Sequence, residues 1–301
     1  MDFIANTLSI SLYEGLVFGL LTVGFYLTFR VLSFPDLSIE GTFPMGGAVA
    51  STLIVSGFNP FLATLASLLA GFCAGIVTAL FNTRLRITAL LSGVLMMVGL
   101  YSVNLRIMGG ANVPMLRDIT CFDLVGQALS LRGMPLAIVF SAAVSIICFA
   151  ALNWFLRTEI GLALRASGDN EQMVRGLGSD TNKNILLGCG ISNGLIALTG
   201  SLVAQNQGFC DVGMGIGIIV TALAAVIIGE ALFRPKGITS LLIACFGGSF
   251  AYRLFITIAL RLGMAPGDLK MITALLVLIA LAVPYLRKRL RHEWIPPAAR
   301  M

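Results

Sequence analysis

Long apolar runs separated by short polar segments extend along the whole chain. Several of these runs reach the roughly 20 residues that an α-helix needs to cross the hydrocarbon core of a bilayer. A soluble protein with a large core is disfavoured for the same reason. The pattern therefore predicts an all-α integral membrane protein with a single transmembrane domain, 1–301. About nine spans are predicted, at 9–29, 41–57, 60–81, 88–107, 134–156, 183–204, 217–233, 237–260 and 270–286.

The composition supports a membrane protein, because 57% of the residues are hydrophobic and only 11% are charged. Soluble domains are about half apolar and a quarter charged. The net charge of +6 would suggest a nucleic-acid partner in a soluble protein, but in a membrane protein basic residues are counted by side. With the N-terminus outside, fourteen of the 20 Lys and Arg residues fall in inner loops and in a basic cytoplasmic tail, 287–301. We therefore expect an N-out, C-in chain surrounded by membrane lipid, with no nucleic-acid partner.

Catalytic chemistry finds little support in the sequence. The chain has no Gly-x-x-x-x-Gly-Lys-[Ser/Thr] phosphate loop, so it is not expected to hydrolyse ATP itself. The single histidine, His292, lies in the basic tail, and no CxxC pair is present, which leaves no support for a hydrolytic triad, a metal site or a cofactor site. Cys121 and Cys210 both fall in predicted outer loops, so a disulfide between them is an open alternative. We expect a chain that is not an enzyme.

Two stretches rich in Gly and Pro, 34–47 and 208–217, interrupt the predicted spans. Irregular backbone at membrane depth is tolerated only where it is buried in protein or lines a cavity, so both are candidates for lining a pathway. The small residues of the second span are explained by close helix packing. Two pairs of similar short segments favour an inverted repeat of spans 1–4 and 6–9, with chance similarity as the alternative. The pairs are Phe34-x-Asp36 with Phe209-x-Asp211, and Ile87-Thr-Ala-Leu-Leu91 with Ile272-Thr-Ala-Leu-Leu276.

Five ionisable residues fall in or beside the predicted spans, where each is a functional candidate because charge is costly in a membrane. Asp36 either caps the following helix or contacts substrate, and capping is favoured. Glu230 lies near the inner boundary, where it can reach water. Arg253 needs a partner, and Glu14 and Glu40 are the candidates for a structural ion pair or a transport role.

The longest charged stretch is the loop at 157–183, between the fifth and sixth predicted spans. Asp169 and Gln172 have the spacing of a capping box, and Gly178 is suited to the left-handed position after a helix. A short helix from about Asn170 to Leu177 is therefore predicted. Its apolar face carries Met173 and Leu177, with Val174 beside them. Either a partner protein covers this face, or the loop packs against the inner surface of its own chain.

The same loop resembles a known family. Its pattern is Thr158-x-x-Gly161-x-Ala163-x-Arg165-Ala166, Asp169-Asn170 and Gly176-Leu-Gly178, followed by Leu-Thr-Gly-Ser-Leu at 198–202. Nearly the whole chain is similar to the permease subunits of branched-chain amino acid and ribose type ABC importers. The segments 35–43 and 101–109 resemble an uncharacterised subgroup of these permeases that works with lipoprotein-type binding proteins, some members of which are associated with aromatic amino acids.

The resemblance implies a permease homodimer in the bacterial inner membrane, carrying two cytoplasmic ATPase subunits and receiving a small amino-acid-like solute from an extracytoplasmic binding protein. ATP and Mg would belong to the ATPases. The 157–183 helix would then seat in a groove of the ATPase. The residues expected to couple the two chains are Glu159, Arg165, Asp169, Met173, Val174, Arg175 and Leu177. The residues expected along the pathway are Asp36, Ser38, Glu40, Thr42, Asn104 and Asp211.

Two other functions remain open at this point. A secondary transporter driven by an ion gradient would use Glu40 and Arg253 as a relay. A scaffold or receptor would have no pathway at all.

Overall fold

The computed structural model describes residues 2–264, 266–268, 271–275 and 278. Helices dominate this part of the chain, joined by two short strands and a few irregular turns. The helices are α1 (Asp2–Tyr26), α2 (Ile39–Val55), α3 (Pro60–Thr83), α4 (Ala89–Met108), α5 (Cys121–Leu129), α6 (Met134–Phe155), α7 (Glu159–Asp169), α8 (Glu171–Gly176), α9 (Thr181–Gln207), α10 (Ile218–Phe233) and α11 (Ile238–Arg261), and the strands are β1 (Asn112–Pro114) and β2 (Phe209–Asp211).

Seven described helical segments are long and apolar enough to cross a membrane, and one of them, Val212–Phe233, includes both α10 and the turn before it; α2 is a shorter apolar helix. The all-α membrane class is thereby confirmed. Each of the first eight predicted spans overlaps one of these helices over most of its length. Most of the ninth predicted span, 270–286, and the basic tail, 287–301, lie outside the described residues, so the count of nine and the N-out, C-in orientation stay predictions.

Helix α9 lies at the centre of the bundle, against α1, α2 and α3. Small residues permit this packing. A Cβ on Gly46 of α2 would collide with the carbonyl oxygen of Ala197, and a Cβ on Gly200 of α9 would collide with that of Phe43. Backbones can approach this closely only where side chains are absent, which confirms close helix packing as the use of these glycines.

Contacts between loops show that the helices alternate in direction as the sequence predicted. Strands β1 and β2 pair antiparallel, so the ends of α4 and α9 lie on one side. On the other side, Arg30 after α1 bonds Glu230 near the end of α10, and Arg157 after α6 bonds Thr239 at the start of α11. Glu230 thus has a charged partner that was not anticipated.

The loop between α4 and α6 contains structure that the span pattern did not predict. Helix α5 begins with a capping box in which Thr120 and Asp123 bond each other's backbone N–H groups. Cys121 and Cys210 are both buried free thiols, so the disulfide left open by the sequence is not formed. Burial raises the pKa of the Cys210 thiol to about 12, because the thiolate would lose its hydration.

Candidate functional site

The chain between α1 and α2 is not α-helical. Residues Leu27–Val31 form a π-helical turn, and the helix resumes only at Ile39. The predicted irregular stretch 34–47 is therefore irregular only as far as Ser38, after which α2 continues through Pro44. This break in the backbone brings polar groups into the interior of the bundle, the situation in which unwound membrane helices are tolerated.

Asp36 lies in this break and is only 2% exposed. Its Oδ1 accepts a hydrogen bond from the backbone N–H of Ser38 at 2.8 Å, and its Oδ2 accepts one from Nδ2 of Asn193 at 2.7 Å. Both oxygens of the carboxyl group thus have partners. Asp36 bonds the N–H of Ser38, which is the N-cap residue of α2, and no first-turn N–H group, so the predicted capping of α2 by Asp36 was wrong. The contact with Asn193 ties the start of α2 to the middle of α9.

Three further predicted pathway residues are also fully buried. The Ser38 hydroxyl lies 3.3 Å from Oδ1 of Asn193, and Thr42 Oγ1 donates to the carbonyl oxygen of Ser38. Asn104 Nδ2 donates to the carbonyl oxygen of Gly41 at 3.0 Å, while its Oδ1 has no partner among the described residues. Ser38 and Asn104 thus tie α2 to α9 and α4, whereas Thr42 bonds within its own helix. Asn193 was missed, although a polar amide in the middle of an apolar span was a usable signal.

Glu40 and Asp211 are the predicted pathway residues that are partly accessible. Glu40, in the first turn of α2, accepts a hydrogen bond at Oε1 from the backbone N–H of Gly217, the residue that precedes α10. Two helix N-termini therefore converge on one carboxylate, which their partial positive charge favours. Asp211 Oδ1 accepts from the N–H of Gly213 at 2.7 Å, the same turn that Asp36 makes with Ser38.

The segment before α10 packs directly on α2. A Cβ on Gly215 would collide with the carbonyl oxygen of Glu40 and would lie 2.7 Å from the ring of Pro44. Pro44 has no N–H, so it cannot bond the Glu40 carbonyl as a normal helical residue would. The Glu40 carbonyl therefore lacks its usual hydrogen bond from residue 44. The second irregular segment, 208–217, approaches α2 at this carbonyl.

Arg253 of α11 lies beside Glu14 of α1, with Nη1 3.5 Å from Oε2. The guanidinium carbon lies 3.3 Å from the ring centroid of Phe18, one turn along α1. Of the two partners considered from the sequence, the structure places Glu14 against Arg253, while Glu40 is engaged with Gly217.

The loop at 157–183 contains two helices rather than one. Helix α7 was not predicted. It begins at the cap Thr158, whose Oγ1 accepts from the N–H of Gly161. Helix α8 lies within a residue of each predicted end, but its cap is Asn170, which accepts from the N–H of Met173 at 2.9 Å. The predicted capping box of Asp169 and Gln172 was wrong because Asp169 is the last residue of α7.

The side chains of this loop divide into an exposed and a buried set. Met173 is 56% exposed and Leu177 is 77% exposed, as the helix face suggested, whereas Val174 is buried at 4% and packs inward. Val174 therefore supports α8 and is not available to a partner, which corrects its place in the predicted coupling set. Arg175 bonds Glu171 and Thr181, which fixes α8 on the start of α9. Glu159 and Asp169 are exposed and Arg165 is partly exposed.

Helix α7 rests on the break after α1. A Cβ on Gly168 would collide with the carbonyl oxygen of Val31, at the end of the π-helical turn. Helix α7 is also held by α9, because the Asn184 amide donates a hydrogen bond to the Ser167 hydroxyl at 2.8 Å. The loop therefore contacts the backbone that leads, within five residues, to Asp36.

No group of three or more His, Cys, Asp or Glu residues in the part of the chain that the structure describes could hold a metal ion. The fold and the site define a membrane transport subunit: a bundle of spans, two of them short and joined through their N-terminal ends, with a structured loop packed on one break.

The chain belongs to the family described as "Branched-chain amino acid transport system / permease component", whose model matches residues 7–282. It is 40% identical over 269 residues to the tyrosine transport system permease protein of Clostridioides difficile (strain R20291), covering 89% of this chain and 88% of that protein. It is 34% identical to the uncharacterized protein RP368 of Rickettsia prowazekii (strain Madrid E), covering 92% and 97%. The ribose import permease protein RbsC of Escherichia coli (strain K12) is 27% identical, covering 78% and 73%.

A solved structure shares the fold. PsaBC from Streptococcus pneumoniae, in complex with Fab, superposes with a TM-score of 0.52 at 16% identity, covering 100% of this chain and 94% of that chain. By its family and its sequence relatives, the chain is a multi-pass ABC importer permease for small solutes, of the bacterial inner membrane.

Proposed function

We propose that this chain forms the translocation pathway of an ATP-driven importer for an amino-acid-like solute, with aromatic amino acids as the first candidates. The tyrosine transport permease, similar over most of both chains, supports the solute class. The observation that carries the coupling is the contact of Gly168 with Val31, because it joins a solvent-exposed loop to a broken span.

The loop at 157–183 is the site at which the ATPase docks. Helices α7 and α8 expose four large apolar side chains in an otherwise polar loop, a surface that a partner would cover. These side chains are Ile160, Leu162, Met173 and Leu177. A partner that moves α7 would push on Val31, and the break at 32–38 would pass that displacement to α2.

The pathway depends on the two short helices α2 and α10. Their N-terminal ends meet through Glu40 and Gly217. Pro44 cannot bond the Glu40 carbonyl, against which Gly215 packs. A shift of α2 against α10 at this junction would switch access from one side of the membrane to the other. The fully buried Asp36, Ser38, Thr42 and Asn104 hold α2 together as it moves rather than contacting solute.

The working assembly contains two copies of this chain, two cytoplasmic ATPases and an extracytoplasmic binding protein of the lipoprotein type. ATP and Mg are bound by the ATPases, and this chain carries no cofactor and no catalytic group. The family relationship supports an ATPase and a binding protein as partners.

The test is reconstitution in liposomes. Purified permease, with its ATPase inside and its loaded binding protein outside, should accumulate labelled tyrosine only when ATP is enclosed. The chain alone should not respond to a proton or sodium gradient. Gradient-driven uptake by the chain alone would favour the secondary transporter, in which Glu40 and Arg253 form the relay.

A further inference from the structure

A cavity opens beside α8, on the side of the bundle that carries the loop at 157–183. Its volume is about 450 Å³, within the range of about 300–1,000 Å³ that small-molecule sites occupy. One wall is the turn between α3 and α4, with Arg86 and Thr88, and the other is α8 and the start of α9, with Glu171, Arg175 and Asn182. None of the described residues that line it belongs to the junction of α2 and α10, so a ligand bound there would not be the transported solute.

Arg86 has an unfavourable backbone conformation. Its φ is +57°, in the left-handed region that glycine enters freely and other residues rarely adopt. The turn is held by two hydrogen bonds, from the Ile87 N–H to the Phe81 carbonyl oxygen at 3.2 Å and from the Asn82 amide to the Ile87 carbonyl oxygen at 2.8 Å. Glycine is the usual residue at a left-handed position after a helix. Because arginine suits this backbone less well than glycine, what it contributes is the charge that it presents to the cavity.

The cavity carries one net positive charge, because two arginines and one glutamate line it. Arg86 is exposed and makes no hydrogen bond or ion pair with the described residues. Arg175 donates from Nη2 to Glu171 and from Nε to Thr181, so its guanidinium is fixed while Nη1 stays unpaired within the described part of the chain. A fixed guanidinium on one wall and a second on the other suit a phosphate group, whose oxygens accept several charge-assisted hydrogen bonds at once.

The surface beside the cavity is apolar. Leu85 of the turn and Leu90 and Leu91 in the first turn of α4 are all exposed. Helix α4 is long and apolar enough to cross a membrane, so leucines on its first turn lie where acyl chains meet head groups. Basic pockets between spans at this boundary are suited to anionic lipid head groups. The leucines favour a lipid over the ATPase as the occupant, because exposed apolar residues of a span face the bilayer.

We propose that this cavity binds the phosphodiester head group of an anionic phospholipid from the inner leaflet. The phosphate oxygens accept hydrogen bonds from Arg86 and from Nη1 of Arg175, and the acyl chains lie along Leu90 and Leu91. The single negative charge of a phosphodiester matches the net charge of the cavity. The bound head group joins the turn between α3 and α4 to α8, so the lipid stabilises the loop at 157–183 without taking part in translocation.

The first experiment titrates the detergent-purified full chain with phosphatidylglycerol, phosphatidylcholine or inorganic phosphate, and native mass spectrometry measures binding. Phosphatidylglycerol should bind at least tenfold more tightly than phosphatidylcholine, whose choline cancels the phosphate charge. Inorganic phosphate should not displace the lipid, because it lacks the chains that contact α4. Equal binding of the two lipids would overturn the inference, and displacement by inorganic phosphate would overturn the assignment to a lipid in favour of a soluble anion.

The second experiment removes the Arg86 side chain without straining the turn. Glycine suits the left-handed φ, so Arg86→Gly should be no less stable than wild type in phosphatidylcholine nanodiscs, while its affinity for phosphatidylglycerol should fall at least tenfold. The matched control is Arg234→Gly. Arg234 is also exposed and also left-handed, with φ +42°, but it does not line the cavity. The control removes the same charge from the same side of the bundle and should leave lipid binding unchanged.

Two further results would contradict the proposed site. An equal loss of phosphatidylglycerol binding in Arg86→Gly and Arg234→Gly would show general attraction to a basic surface and overturn a defined cavity site. In phosphatidylcholine alone, Arg86→Gly should copurify with as much ATPase as wild type. A tenfold loss of ATPase there would assign the cavity to the ATPase and overturn the inference. Neither measurement uses solute or ATP, so the outcome is independent of the proposed import function.

Discussion

The carboxylate of Glu40 accepts a hydrogen bond at 3.0 Å from the backbone N–H of Gly217, 177 residues later in the chain. This contact joins the N-terminal ends of α2 and α10, the two helices that enter the bundle after irregular segments. Each N-terminus carries unpaired N–H groups and a partial positive charge. The Glu40 carboxylate of the first turn of α2 therefore bonds the residue that begins α10, so substitution of Glu40 should loosen the junction of the two helices.

Replacing Glu40 tests this junction. Glu40→Ala removes the acceptor and should reduce the free energy of unfolding by about 1.5–3 kcal/mol, the usual worth of a hydrogen bond to a charged group. Glu40→Gln keeps an acceptor oxygen and should cost less. Thermal inactivation of the purified permease, followed by size-exclusion chromatography, measures both. Equal stability of Glu40→Ala and wild type would contradict the role assigned to this contact.

Charging the exposed face of the loop should detach the ATPase. Met173→Asp/Leu177→Asp replaces two apolar side chains, 56% and 77% exposed, with carboxylates. The spans should fold normally, but the apolar contact with the ATPase groove should be lost. Copurification of the ATPase should fall more than tenfold. Leu116→Asp is the control, because Leu116 is 83% exposed near β1 and on the opposite side of the bundle. Undiminished ATPase binding by the double variant would rule out docking at this face.

The contact between α7 and the π-helical turn can be tested with a single methyl group. Gly168→Ala puts a Cβ into the Val31 carbonyl, so α7 must shift away from the break. We expect transport to fall several-fold while the ATPase still binds, because the docking face itself is unchanged. Gly176→Ala in α8 meets nothing within 4 Å and should transport normally. A Gly168→Ala variant with wild-type uptake would argue against mechanical coupling through Val31.

The buried cysteines give a prediction about pH and redox state. The pKa of Cys210 is raised to about 12, so its thiol is almost wholly neutral near pH 8 and is a poor nucleophile. Alkylation of folded permease at Cys210 should therefore be negligible at pH 8 and should appear only on unfolding. Reducing agent should leave the thermal stability unchanged, since Cys121 and Cys210 are not bonded. Mass spectrometry of labelled peptides measures the first effect, and a shift in stability on reduction would contradict the second.

Several features followed from local pattern alone. The long apolar runs predicted the spans, and the sequence around Gly178 predicted α8 to within a residue at each end, because caps and helical faces depend on neighbours in sequence. The cap was misplaced by one residue because α7, whose caps had not been recognised, extends to Asp169. Helix α7 was missed because a partly polar helix in a charged loop has no apolar run to reveal it.

Other features depended on contacts between distant segments. The sequence offered Asp36 as a helix cap or a solute contact, but its carboxyl group instead bonds the backbone of Ser38 and the amide of Asn193, which lies 157 residues away. Val174 looked like part of an exposed face, and only the packing of α8 shows that it points inward. The sequence offered both Glu14 and Glu40 as partners of Arg253, and the pairing follows from α1 lying against α11.

The sequence by itself determined that the chain spans a membrane, that it lacks a phosphate loop of its own, and which loop and which broken spans are exceptional. Hydrophobic length, caps and helix breakers act locally, so they can be read from neighbours in the chain. The tertiary structure decided which polar groups meet, because hydrogen bonds and ion pairs across a bundle depend on how helices remote in sequence pack. That packing closed the interior around Asp36, joined Glu40 to Gly217, and set Arg253 beside Glu14.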